Sequence, residues 1–230
     1  MKKYKKAIFF LLVCLTAQTA YSFRHIELPD TFHIVKANVD FFEDISSMRE
    51  YIRDSIDNPK AYLILNYFRV PVIAIKKEDK YAIIFFDDDG FFRNYEFDRK
   101  NTNDKKLVVR WNFSWGRSRW EGGGQDSSTG ILIWNIDTYE LLLDFQDMRE
   151  LETWWQIFDP ETEDLDYWER EVIESGRITE CYKFAVELEK KRLTIQLIKD
   201  SEDGECIEVV GTKHFYKLTE AGFVRYKIEE

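Results

Sequence analysis

In Leu107, Val109, Trp111, Phe113 and Trp115 every second residue is large and apolar, while Arg110, Asn112 and Ser114 fill most of the places between them. Side chains recur every two residues on one face of a β-strand and every 3.6 on a helix, so this segment buries its apolar set only as a strand. The signature returns along almost everything after Pro59. "AYLILNYF" (61–68) and "VPVIAIKK" (70–77) are apolar and β-branched, and Pro71, which has no N–H to donate, predicts an edge or a bulge. "KYAIIFF" and "FFRNYEF" flank the acidic, glycine-ended turn Asp87-Asp88-Asp89-Gly90 and read as a hairpin. Further hairpins are expected over 130–145, 181–198 and 214–228, each with a short polar turn. Strands joined this tightly pair antiparallel.

One segment carries a different period. Phe41, Ile45, Met48, Ile52 and Ile56 recur at steps of three and four, with Asp40 and Glu43 placed as a cap and its partner and Asn58-Pro59 as a stop. The spacing predicts one N-terminal amphipathic helix lying on a sheet. The 230 residues, less the leader described below, suit one domain rather than several. The expected fold is therefore mainly β, a single antiparallel domain, sandwich-like or a small irregular propeller, with that helix added.

The stretch "SWGRSRWEGGGQDSSTG" (114–130) concentrates two tryptophans, two arginines and five of the ten glycines. The strand that feeds it makes Trp111 and Trp115 core rings. After Gly116 the alternation fails, and Gly122-Gly123-Gly124 loses backbone entropy on ordering, so a loop is expected. That loop reads either as plain connection, its arginines paired with surface carboxylates, or as a binding loop. In the second reading Arg117, Arg119, Trp120 and Asp126 form the ligand set, the arginines suiting a carboxylate or sulfate and the indole a flat apolar face.

The first residues bear on compartment. Lys2, Lys3, Lys5 and Lys6 precede the apolar run Ala7–Leu15, and Ala20-Tyr21-Ser22 places small residues at a cleavage point, which reads as a secretory leader over Met1–Ser22 and a mature chain from Phe23 to Glu230 in the periplasm or outside the cell. Nine apolar residues fall far short of the roughly 20 that span a bilayer. The chain's formal charge is −10, and it becomes more negative once four lysines leave with the leader. Such a surface repels nucleic-acid phosphates and anionic lipid. Cys181 and Cys206 remain, and in an oxidising compartment they are expected to pair.

Chemistry-bearing motifs are sparse. The glycines lack the Lys-Ser or Lys-Thr of a phosphate loop, and "DDDGFFRNYE" lacks the first carboxylate of a calcium loop because Phe85 stands there. His25, His33 and His214 are scattered, with neither a zinc spacing nor a nucleophile motif. Nothing calls for a cofactor or a metal. Asp164, Asp166 and Glu169, near Trp154, Trp155 and Trp168, are the carboxylates best placed for glycoside cleavage, although a solvated acidic loop explains them equally.

"ILIWNIDTYELLLDF" (131–145) resembles the end of a WD-type propeller blade, with Trp134-Asn135 where that family has Trp-Asp. The resemblance implies repeated blades, whereas the other hairpins share only alternation with it. The whole is similar to exported β-rich bacterial proteins, a likeness that implies no activity. The expectation is a non-enzymatic exported binding protein for a glycan or an envelope protein. The alternatives are a secreted glycoside-active enzyme with paired carboxylates, and an acidic inhibitor of a basic envelope enzyme such as a lysozyme.

Overall fold

The structure, a computed structural model, describes residues 27–65, 71–85, 93–119, 122–162, 166 and 169–230. The expected leader and cleavage point, and the acidic turn at 87–90, lie outside these residues. Among them the period-two segments form β1 (Thr31–His33), β2 (Val35–Lys36), β3 (Asn38–Phe42), β4 (Ile52–Asp57), β5 (Lys60–Leu65), β6 (Pro71–Lys77), β7 (Lys80–Phe85), β8 (Asn94–Phe97), β9 (Lys106–Arg119) and β10 (Gly122–Asn135). They continue as β11 (Glu140–Phe158), β12 (Val172–Glu189), β13 (Arg192–Glu202), β14 (Glu205–Glu208), β15 (Lys213–Thr219) and β16 (Gly222–Glu229). All pairings are antiparallel. They build a five-stranded sheet, ordered β3-β7-β6-β5-β4, and an eleven-stranded sheet, ordered β1-β16-β15-β13-β12-β11-β10-β9-β8 with β14 on β13 and β2 on β11.

Alternation along each strand sends residues to different apolar layers. Leu107, Val109 and Trp111 of β9, with Leu132 and Trp134 of β10, meet Ala61, Leu63, Ile73, Ile75 and Ile84 of the small sheet. On the opposite face of the large sheet, Val108, Ile131, Ile133 and Phe145 pack with Leu193, Ile195, Tyr216 and Phe223 from its C-terminal strands, which fold back over it. The outer face of the small sheet gathers Ile64, Val72, Ala74 and Ile83 under Ile45, Met48 and Tyr51. Two stacked sheets, each covered on both sides, make this a sandwich rather than a ring of blades.

Three local expectations are corrected. The helix over 41–56 is not formed: β3, a short 3-10 helix (Ser46–Tyr51) and β4 occupy the segment. Ile52 and Ile56 are four apart, a step that fits one helix face, but in β4 the register slips between Ile52 and Asp54, so Ile52 packs on the outer face of the small sheet and Ile56 on the inner one. Asp54 accepts the Phe97 N–H at 2.7 Å and pairs with Arg99, which ties β4 to the end of β8. Asp40 caps nothing, and the Ser46 N–H takes Asp44 as acceptor at 3.0 Å instead. Pro71 lies not at an edge but at the first position of β6, between β5 and β7, where the missing donor costs least. Finally, β7 and β8 are not hairpin partners, because β7 joins the small sheet and β8 pairs with β9 in the large one. Period two identifies a strand without naming its neighbour.

The other expected hairpins form, as β10 with β11, β12 with β13, and β15 with β16. Cys181 of β12 and Cys206 of β14 lie at disulfide distance, with Cα atoms 5.8 Å apart. No helix among the described residues is long and apolar enough to cross a membrane.

Candidate functional site

The glycine-rich stretch is strand, not loop. β9 runs through to Arg119 and β10 begins at Gly122, with those two residues paired across a two-residue connection. The missing sequence signal is a partner: glycines that lack side chains of their own are held here by large rings from the neighbouring strand. Trp111 lies directly opposite Gly130, Trp154 opposite Gly123 and Trp155 opposite Gly176. In all three pairs an added Cβ would fall on the indole, so the absent side chain is the space the ring fills. The burial lost at each glycine is regained from across the ladder.

Consequently the outer halves of β9, β10, β11 and β12 form a four-stranded arm that projects past the small sheet. The register sets its side chains in rows, since residues directly opposite share a face. One row holds Trp115, Asp126, Leu151 and Glu180. The next row inward holds Phe113, Ser128, Arg149 and Tyr182, and the next outward Arg117, Gly124, Thr153 and Ile178. This is the face that, nearer the core, meets the small sheet through Trp111. The cover reaches as far as Phe113, which is half-buried against that layer, and ends beyond it, where Trp115 is 52% exposed. The expectation that both rings are core therefore holds for Trp111, at 4% exposure, and fails for Trp115.

At the centre of the face Asp126 and Arg149 are joined twice, Nη2 to Oδ2 at 2.8 Å and Nε to Oδ1 at 3.3 Å. The hydrogen bonds that Arg149 donates to Asp126 strengthen its hold on its proton. Beside it, burial lifts the Glu180 carboxyl above the usual range against the pull of Arg149, and Glu180 Oε2 is enclosed with no hydrogen-bond partner among the described residues. Burial likewise raises the Tyr182 hydroxyl. The result is a face with an exposed indole at one side and a carboxylate and guanidinium joined by two hydrogen bonds at the middle, bounded by the Tyr182 ring, which packs on Phe184 of the other apolar layer. Such a surface stacks on a ring and exchanges hydrogen bonds with adjacent hydroxyl or amide groups.

Of the sequence-derived site residues, Arg117 and Asp126 stand on this face, Arg117 exposed and Asp126 within the ion pair. Arg119 ends β9 opposite Gly122, and Trp120 lies outside the described residues. Arg149, Leu151, Glu180 and Tyr182 are additions. Their alternation in "RELETW" and "ECY" was legible, but only the register shows that they share the face of Trp115. The acidic cluster does not join them. Asp166 and Glu169 are exposed, in a turn closed by the Glu169 N–H on the Asp166 carbonyl at 2.8 Å, while Asp164 and Trp168 lie outside the described residues. Compared with known protein families, curated proteins and solved structures, the chain matches none.

Proposed function

We propose that this is an exported glycan-binding protein that works without catalysis, its site the outer face of the β9–β12 arm. The observation that carries the reading is Trp115: a large ring left half in solvent beside a doubly bonded Asp126–Arg149 pair, on rigid strands rather than on a loop. A sugar ring offers an apolar C–H face to the indole and vicinal hydroxyls to the pair, which accepts through Asp126 and donates through Arg149. Export is supported by the lysine-led apolar start and by the cysteine pair. The absence of a recognised nucleophile motif in the sequence fits binding rather than turnover.

Retention on insoluble polysaccharides and on peptidoglycan, followed by affinity electrophoresis, tests this. Trp115→Ala is expected to weaken binding about tenfold or more, the equivalent of ~1.4 kcal/mol, with Arg149→Gln comparable and the circular dichroism of both unchanged. Equal retention of Trp115→Ala and the native protein would remove the site. Binding to an envelope protein with no retention on any glycan would leave the face in use and the ligand class wrong.

A further inference from the structure

At the opposite end of the molecule, β15 and β16 grip the segment that leads into β1. The Tyr216 hydroxyl donates to the Pro29 carbonyl at 2.9 Å, Arg225 Nη1 donates to the Leu28 carbonyl at 3.1 Å, and the Arg225 backbone N–H donates to the Asp30 carbonyl at 2.8 Å. Arg225 Nη2 also meets the Asp30 carboxylate. One guanidinium thus holds the strap at two residues, and on its other side it meets the Tyr216 hydroxyl and His214 Nδ1, the latter 3.2 Å from Nη1. For that contact to be a hydrogen bond the imidazole must be neutral and accept through Nδ1.

We propose that His214 and Arg225 form an acid-released clasp on residues 28–34. Protonating His214 replaces its acceptor with a donor and sets two cations side by side, so Arg225 has to turn away, and its turning breaks the bonds to Leu28 and Asp30. β1 is held besides by a three-residue ladder to β16, by the Ile34 N–H on the Ala221 carbonyl and by Leu28 and Phe32 in the apolar layer with Phe145 and Tyr216, so losing the guanidinium loosens the strap locally without stripping it from the core. The groups around the imidazole do not offset the change. Ile195 of β13 and Ile228 of β16 stand directly opposite it, Tyr216 is two residues along the same face, and Arg225 and Asp30 are the charged groups there. Lys213, Lys227 and Glu229 lie on the other face, around Phe215. His33 is exposed and sits on β1 itself.

Burial and then Arg225 hold His214 below the ordinary histidine range. The folded clasp therefore takes up its proton later than the released strap does. Its contribution is whole above about pH 6.5 and is lost as pH falls from there through the lower folded value.

Hydrogen exchange of residues 28–34 in the whole protein, corrected for the intrinsic pH dependence of exchange, reads this directly. Between those two values the opening constant should rise by up to about tenfold per pH unit, while the β6 and β9 amides keep their protection. His214→Gln keeps an acceptor and cannot ionise, so it should flatten the dependence; His33→Gln should leave it intact. The same acid-driven opening in His214→Gln would overturn the proposal. Should that variant not fold, an NMR titration of the His214 ring in the native protein decides: a midpoint that does not coincide with strap opening overturns it equally.

Discussion

Trp111→Ala is expected to cost about 3–5 kcal/mol of stability, read as a fall in the midpoint of urea unfolding at unchanged slope. The ring is buried between three neighbours of different kinds. It covers Gly130 on β10, it reaches the layer shared with the small sheet, and the Arg93 guanidinium stands 4.3 Å from its centroid. Removing it empties a space that a glycine cannot refill. The complementary change, Gly130→Val, puts a branched side chain where the indole lies and is expected to cost about 1–3 kcal/mol by overpacking. The informative outcome is the double variant. The valine occupies part of the cavity left by the ring, so Trp111→Ala with Gly130→Val should lose clearly less than the two singles added together. Strict additivity would mean that ring and glycine are not one packing unit.

Cys206→Ser, or reduction of the native protein, is expected to cost about 3 kcal/mol, because the pair at Cys181 and Cys206 closes a loop of 25 residues in the unfolded chain. The pair joins β12 to the short β14, itself laddered only to β13. Local loss should therefore exceed global loss. Exchange protection at β14 is expected to fall first, and that of β12 around Tyr182 and Lys183, which are laddered to both β11 and β13, to hold. A variant as stable as the native protein would show that the unfolded chain gains little from losing the link.

Reading strands from sequence succeeded where alternation was long and bounded by polar turns, as in β10 with β11 and β15 with β16. It failed in two physically distinct ways. Over 41–56 the isoleucine spacing fitted a helix, whereas β4 pairs with β5 and a register slip after Ile52 sends Ile52 and Ile56 to opposite faces, which no local pattern announces. Over 116–130 the glycines suggested a loop because a glycine scores as a break when taken singly. Their stabilising partners, Trp154 and Trp111, lie 31 and 19 residues away across the ladder from Gly123 and Gly130. Such pairs are set by register, which no local pattern carries. The candidate site shares that limit. Arg117 and Asp126 were within sight, but Trp115 was assigned to the core because nothing in the sequence marks where the small sheet stops covering the large one.

That boundary matters for how the molecule can change. The four strands of the arm are anchored like a cantilever: their inner ends carry apolar layers on both sides, and their outer ends inherit straightness from that root without a core of their own. Side chains on the free end can therefore be exchanged at little thermodynamic penalty so long as the glycine and indole pairs stay matched. Descendants of such a chain can alter what they recognise while leaving their foundations alone.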